Sequence, residues 1–209
     1  MDLQSFPIWA FILIGFVAQM IDGAMGMAYG VSSTTILNGL GVPQKFASAA
    51  VHASEVVTTG ISGFSHWRMG NVHVDLARKL VIPGVLGGVI GAYLLSNLEA
   101  PWLKPVVAVY LAIMGLIVIY RAFRSKSPRH VRSWLIPLGF AGGFMDALGG
   151  GGWGPVVTST LMARGNEPRF TVGSVNITEF FITLAQSVTF FLALGSGEFL
   201  RYGNIILGL

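Results

Sequence analysis

The chain alternates between long apolar stretches and short polar connections, with few charges inside the stretches. A helix needs about 20 apolar residues to cross the hydrocarbon core of a bilayer. Four stretches reach this length without interruption, and each is predicted to be one membrane-spanning helix: 46–64, 80–98, 103–123 and 170–194. The pattern therefore predicts an all-α polytopic membrane protein.

Two further apolar stretches, 7–40 and 134–163, are longer and are interrupted by glycine. The interruptions read Gly23-Ala-Met-Gly26-Met-Ala-Tyr-Gly30 and Gly149-Gly-Gly-Gly152-Trp-Gly154-Pro155. Because glycine and proline lower helix propensity, each stretch is predicted to form two short helical legs around an unwound point. The charge bias of the loops favours re-entrant hairpins, which enter and leave the membrane on one face.

Composition supports the membrane assignment. Only 11% of the residues are charged, whereas soluble domains carry about a quarter. The chain has no cysteine, which excludes disulfides, thiolate metal sites and cysteine-based catalysis. The small net charge of +4 argues against nucleic acid as a partner. Five basic residues crowd one connection, which the positive-inside rule places in the cytoplasm: Arg121, Arg124, Lys126, Arg129 and Arg132.

The sequence also repeats itself at an offset of 124 residues. Residues 15–59 align without a gap on residues 139–183, with 12 identities in 45 positions, including an aspartate and a glutamate pair. We therefore divide the chain into a first transmembrane repeat (1–123), a basic cytoplasmic loop (124–132) and a second transmembrane repeat (133–209). Because the first repeat is longer, the second is expected to be truncated at its C-terminal end. Duplicated halves with paired broken helices are typical of secondary transporters, and the charge bias favours inverted halves.

Four of the nine acidic residues lie within apolar stretches, and they form two repeat-related pairs: Asp22 with Asp146, and Glu55 with Glu179. A charge at the bilayer centre costs at least about 2.5–3.5 kcal/mol, so such residues are neutralised, paired or functional. Their symmetry predicts a shared site in which all four couple transport to protons. Two structural alternatives remain: the aspartates cap the second legs, and the glutamates form bonds between helices.

The unwound points are candidate substrate sites, because a helix that starts there offers unpaired N–H groups and a positive dipole end to an anion. Polar side chains on the following helices would add donors. The predicted substrate-binding residues are Gly26, Gly30, Thr34, His52, Ser54, Gly150, Gly154, Thr158, Asn176 and Thr178. Close packing is the alternative for the glycines, and a bond to the helix's own carbonyl is the alternative for Ser54 and Thr178. With one histidine among these residues, no metal or cofactor is expected.

Several local motifs resemble the TauE/SafE family of sulfite and organosulfonate exporters. They are Gly41-Val-Pro43 after the first broken helix, His66-Trp-Arg-Met-Gly-Asn71, Pro83-Gly-Val-Leu-Gly-Gly-Val-Ile-Gly91 and the glycine-rich hairpin that begins at Gly139. The resemblance implies export of a small sulfur-containing anion through the inner (plasma) membrane.

The residues and the resemblance together leave three hypotheses. The first is a proton-linked exporter of sulfite, sulfoacetate or a related sulfonate that works by alternating access, with the anion, protons and the lipid bilayer as partners. The second is a divalent-metal or sodium permease that uses the acidic cluster. The third is a membrane assembly partner without transport. No nucleophile–base arrangement is visible, so an enzyme is not expected, and a homodimer stays open.

Overall fold

The computed structural model describes residues 7–25, 27–97, 103–122 and 134–209. Throughout these parts of the chain the secondary structure is helical, without a strand. A π-helical turn, Gly154–Thr158, lies between α6 and α7. The helices are α1 (Ile8–Met25), α2 (Tyr29–Gly39), α3 (Gln44–Arg68), α4 (Val74–Asn97), α5 (Leu103–Ala122), α6 (Leu135–Gly149), α7 (Ser159–Ala163), α8 (Pro168–Leu194), α9 (Ser196–Arg201) and α10 (Gly203–Gly208). The predicted basic loop, 124–132, lies outside the described residues.

Both long apolar stretches are broken where their glycines predict. The first stretch becomes α1 and α2, which are separated between Met25 and Tyr29. In the second stretch α6 ends at Gly149, and Gly150 follows with a φ of +66°. Glycine adopts this left-handed conformation without steric cost, so the chain turns sharply at the end of α6.

Each of the four predicted single spans forms one helix, namely α3, α4, α5 and α8. Among the described helices, α4 and α8 are long and apolar enough to cross a membrane by length and composition. The expectation of four such helices is thus met only in part. Helix α3 is long enough but less apolar, because it contains His52, Glu55 and several serines and threonines. His52 and Glu55 are both buried.

Small residues bring α4 and α6 into close contact. A Cβ added at Gly91 of α4 would lie 2.7 Å from the Phe144 carbonyl oxygen and 2.9 Å from the Ala147 Cβ. One face of α4 carries Gly84, Gly87, Gly88 and Gly91. Spacings of this small-xxx-small kind let two helix backbones approach closely in a membrane.

The relative directions of the helices follow from which residues touch. Along α3, a Cβ at Gly60 would contact Phe180 and one at Gly63 would contact Ile177, so α3 and α8 run antiparallel. Along α4, a Cβ at Gly84 would contact Ile182 and one at Gly88 would contact Gln186. Helices α4 and α8 are therefore parallel.

The connection between α3 and α4 lies against the beginning of α8. Arg169 Nε donates a hydrogen bond to Asn71 Oδ1, and the His73 backbone N–H donates to Ser174 Oγ at 2.8 Å. The end of α3, the beginning of α4 and the beginning of α8 consequently share one end of the molecule. Arg68, Arg78 and Lys79 belong to the same segments.

Candidate functional site

The two helix breaks lie against each other. Thr34 of α2 donates its hydroxyl hydrogen to the carbonyl oxygen of Gly150 in the second break. Thr158, which lies 124 residues later, donates to Met27 Sδ in the first break at 2.8 Å. Each second leg is thus bonded to the opposite break. Gly26, a predicted site residue in the first break, lies outside the described residues.

Glycines form the contact surface between the breaks. A Cβ at Gly30 would lie 2.7 Å from Gly151 Cα and 2.9 Å from Glu55 Oε1. A Cβ at Gly154 would collide with the backbone of Met27. The absence of side chains at both glycines is therefore what lets the two breaks and the glutamate come together.

Each aspartate binds the N–H groups at the start of its own second leg. The Tyr29 N–H donates to Asp22 Oδ1 at 2.9 Å. The Gly152 and Trp153 N–H groups donate to Asp146 Oδ1 at 2.7 and 2.9 Å. The first N–H groups of a helix lack an acceptor within the helix, and these carboxylates supply one. Asp22 and Asp146 thus cap their second legs, which is the structural alternative for these two residues. The N–H groups that they bind are among those predicted to hold an anion.

A second set of bonds holds Asp146 from the opposite side. His52 Nε2 lies 3.1 Å from Asp146 Oδ2, and Gln186 Nε2 donates to the same oxygen at 3.1 Å. The other ring nitrogen of His52, Nδ1, lies 2.6 Å from the Ser48 carbonyl oxygen. His52 is fully buried, so the structure assigns it to Asp146 rather than to the open space of the site.

A cavity of about 40 Å³ lies at the junction of the two breaks. This space exceeds the roughly 10–15 Å³ that one water molecule needs, so it suits a few waters or a small ion. The acidic residues Asp22, Glu55, Asp146 and Glu179 all line it. Glu55 and Glu179 are 4% and 8% exposed, and Glu55 Oε2 has no hydrogen-bond partner among the residues that the structure describes.

Apart from Met27, Val31 and Pro155, the remaining lining residues are polar or glycine, and none of those that the structure describes is lysine or arginine. Together these lining residues are Gln19, Met27, Tyr29, Gly30, Val31, Thr58, Thr59, Ser62, Gly151, Gly152, Gly154, Pro155 and Asn176. The four carboxyl groups in the cavity wall repel one another when ionised, because burial weakens the screening by water. Among the described residues, no three His, Asp or Glu side chains are arranged to hold a metal ion.

Several predicted residues lie outside this lining. Ser54 donates to the carbonyl oxygens of Ala50 and Ile206, and Thr178 donates to that of Ser174. Both hydroxyls thus make the backbone bonds that were their structural alternative. Thr34, Thr158, Gly150 and His52 also lie beside the cavity rather than in its wall.

The most informative residue that the sequence analysis missed is Gln186. Its side chain is fully buried and binds Asp146 and the Gly143 carbonyl oxygen. A signal was available, because Gln186 follows Glu179 by two helical turns and so lies on the same face of α8. Thr59 was visible only as an identity within the repeat, where its partner is Thr183.

Comparison with known proteins identifies the family. A family model described as Sulfite exporter TauE/SafE matches residues 11–208. The chain belongs to the TauE/SafE family. A similar protein is the probable membrane transporter protein YtnM of Bacillus subtilis (strain 168), with 45% identity over 193 residues. No solved structure matches the chain.

The alignment with YtnM covers 88% of this chain but 64% of that protein, so the chain spans less than two thirds of its relative. The match confirms the family resemblance read from the motifs, and it agrees with a membrane location. Both comparisons name transport proteins, which agrees with the expectation that the chain is not an enzyme.

Proposed function

We propose that this chain is the core of a proton-linked secondary transporter that exports a small sulfur-containing anion, such as sulfite, sulfoacetate or a related sulfonate. The observation that carries the proposal is the cavity between the two breaks, whose described lining contains four acidic residues and no lysine or arginine. The family description supplies the substrate class. The small cavity favours a compact anion over a long one.

Proton linkage follows from the charges around the cavity. An anion cannot bind beside ionised carboxylates without strong repulsion, because the buried site has a low effective dielectric constant. Protonated Glu55 and Glu179 instead become neutral hydrogen-bond donors. We infer that these two glutamates take up protons when the anion binds and release them when it leaves. Protons and anion then cross in the same direction, so outward transport follows the outward gradient of the anion.

The proposed mechanism uses two inverted repeats that rock against each other around the site. Three features support this arrangement. At the 124-residue offset, α2 corresponds to the segment that begins at Trp153, and α3 corresponds to α8. The corresponding helices α3 and α8 pack antiparallel. The corresponding aspartates also bind corresponding N–H groups, those of Tyr29 and Trp153.

The same arrangement favours re-entrant hairpins. Helix α4 runs parallel to both α6 and α8, so α6 and α8 share a direction. The chain must then return between Gly149 and Pro168 to the end from which α6 started, and the legs after the break make that return. We place this end, with the basic residues 121–132, in the cytoplasm of the plasma membrane.

The test measures the flux of an anion across the membrane of liposomes that contain the full chain. We expect sulfite or sulfoacetate to move when a pH gradient is imposed, and Glu55→Gln or Glu179→Gln to abolish gradient-driven movement. The matched control is Glu198→Gln, because Glu198 is an exposed acid on α9 away from the cavity. Anion flux that ignores the gradient and survives both glutamate substitutions would reject the proposal.

A cation permease is the second candidate, and one observation favours it. The unpartnered Glu55 Oε2 is buried in the cavity wall, and an ionised carboxylate there would attract a cation. The same variants separate the two functions. Glu55→Gln abolishes sodium or divalent-cation binding if the cargo is a cation, whereas it leaves anion binding in place if the carboxyl group only carries protons.

A further inference from the structure

The two repeat-related aspartates have similar backbone partners. Asp146 accepts hydrogen bonds from the Gly152 and Trp153 N–H groups. At the equivalent positions of the first break, the backbone of Ala28 and the N–H of Tyr29 bind Asp22. The two aspartates therefore have equivalent backbone partners, and any functional difference between them comes from the side chains around them.

The side chains around the two aspartates differ. His52 Nε2 and Gln186 Nε2 each lie 3.1 Å from Asp146 Oδ2. Asp22 Oδ2 receives Gln19 Nε2 at 3.5 Å, which is a long and weak contact. Asp146 is 1% exposed, whereas Asp22 is only partly buried.

The four acceptor sites of the Asp146 carboxylate are all contacted. A carboxylate offers about four such sites, and three N–H donors and one histidine ring nitrogen point at this one. The donors belong to Gly152, Trp153 and Gln186, and the ring nitrogen is His52 Nε2. A further proton on Asp146 would require one of these groups to leave its place in a buried site.

The hydrogen positions on His52 agree with this picture. Nδ1 faces the Ser48 carbonyl oxygen at 2.6 Å, and a carbonyl only accepts, so Nδ1 carries a hydrogen. The Ser48 hydroxyl gives its own hydrogen to the Ala147 carbonyl oxygen at 2.6 Å. The 3.1 Å contact between Nε2 and Asp146 Oδ2 then needs one further hydrogen between these two atoms. The pair is neutral as a whole.

At the 124-residue offset, the equivalents of His52 and Gln186 are Asn176 and Ser62. Both line the cavity together with Asp22. The histidine and glutamine that enclose Asp146 are thus replaced around Asp22 by two shorter neutral side chains, beside space that can hold water.

We propose that His52 and Gln186 are positioning residues that hold Asp146 as a fixed part of the second break, and that Asp22 alone of the two aspartates exchanges protons with the cavity. The proposal deepens the proton-linked mechanism and rests on it for the role of Asp22 in transport. It narrows the set of four acids to Asp22, Glu55 and Glu179.

Other titratable groups also act on Asp146. Glu55 from α3, Glu179 from α8 and Tyr110 from α5 lie near enough to interact with it electrostatically, in addition to His52. Asp22 from α1 interacts with both glutamates. A test must therefore observe the aspartates separately from these neighbours.

Carbon-13 labelling of the aspartate carboxyl groups provides this separation, because the chain has only four aspartates: Asp2, Asp22, Asp75 and Asp146. We would record their NMR signals in the full chain over a pH titration and assign two of them with Asp22→Asn and Asp146→Asn. We expect the Asp22 signal to titrate and the Asp146 signal to stay constant. Parallel titration of both signals in the unaltered protein would overturn the proposal.

A swap of surroundings supplies the second measurement. His52→Asn combined with Gln186→Ser gives Asp146 the residue types found at the equivalent positions of the other repeat, and its signal is expected to begin titrating. Gln186→Ser alone frees one acceptor site and serves if the double variant does not fold. Ser54→Ala is the control on α3, because its hydroxyl binds only backbone carbonyls.

These outcomes are independent of transport. A constant Asp146 signal without any pH-driven flux would reject the proposed function and keep the positioning role. Flux with a titrating Asp146 in the unaltered protein would do the reverse.

Discussion

At the scale of single residues, the bond from Thr34 to the Gly150 carbonyl oxygen is a direct side-chain link between the two breaks. Both residues are buried, so the carbonyl has no access to bulk water if the hydroxyl is removed. Leaving a buried polar group unpaired costs about 1–3 kcal/mol. The contact between the breaks therefore depends on this one hydroxyl to a measurable degree.

We predict that Thr34→Val lowers the free energy of unfolding by about 1–3 kcal/mol and reduces transport. Thr35→Val is the matched control, because the neighbouring hydroxyl binds only the Val31 carbonyl of its own helix and Thr35 is exposed. Chemical unfolding in detergent measures both. Equal stability of the two variants would show that the link between the breaks contributes nothing.

At the scale of elements, α4 and α6 depend on small residues at their interface. A Cβ at Gly91 would lie 2.7 Å from the Phe144 carbonyl oxygen, a distance at which backbone must shift. A Cβ at Gly115 on α5 would meet no described residue within 4 Å. The two glycines thus have the same helical setting and opposite surroundings.

We predict that Gly91→Ala destabilises the protein by about 1–3 kcal/mol through overpacking. Gly115→Ala should instead be neutral or stabilising by up to about 1 kcal/mol, because alanine is the better helix former. Thermal unfolding of the purified variants provides the comparison. The interpretation of α4 as a close-packing helix fails if Gly91→Ala is as stable as Gly115→Ala.

At the scale of the whole molecule, the proposed inverted arrangement predicts on which membrane face each repeat begins its long helix. Pro43 and Glu167 occupy equivalent positions, each immediately before a long helix. Both are exposed, and the chain has no native cysteine to interfere with labelling. Inverted repeats place these two positions on opposite faces, whereas parallel repeats place them on one.

We predict that a membrane-impermeant maleimide labels Pro43→Cys and Glu167→Cys from opposite faces of sealed vesicles. Met69→Cys is the internal control and should follow Glu167→Cys, because the bond between Asn71 and Arg169 holds their segments together. Labelling of all three from one face would rule out inversion.

The amino-acid sequence alone was enough to predict the helical class, the family resemblance, the places where two helices break and the four acids within apolar stretches. These features are local, or they repeat at a fixed offset. The glycines of 23–30 and 149–154 lower helix propensity wherever they lie, and an acid in an apolar stretch is costly in any fold. The sequence also indicated both candidate roles for Asp22 and Asp146.

The contacts among those residues follow from the packing of the helices. His52 and Gln186 contact Asp146, whereas Asn176 and Ser62, at the equivalent positions, line the cavity with Asp22. The Ser54 and Thr178 hydroxyls bind backbone carbonyls. The repeat relates Asp22 to Asp146 as equals, so the sequence could not separate them. Their difference arises because α3 and α8 pack beside both breaks, and the side chains facing each break come from distant parts of the chain.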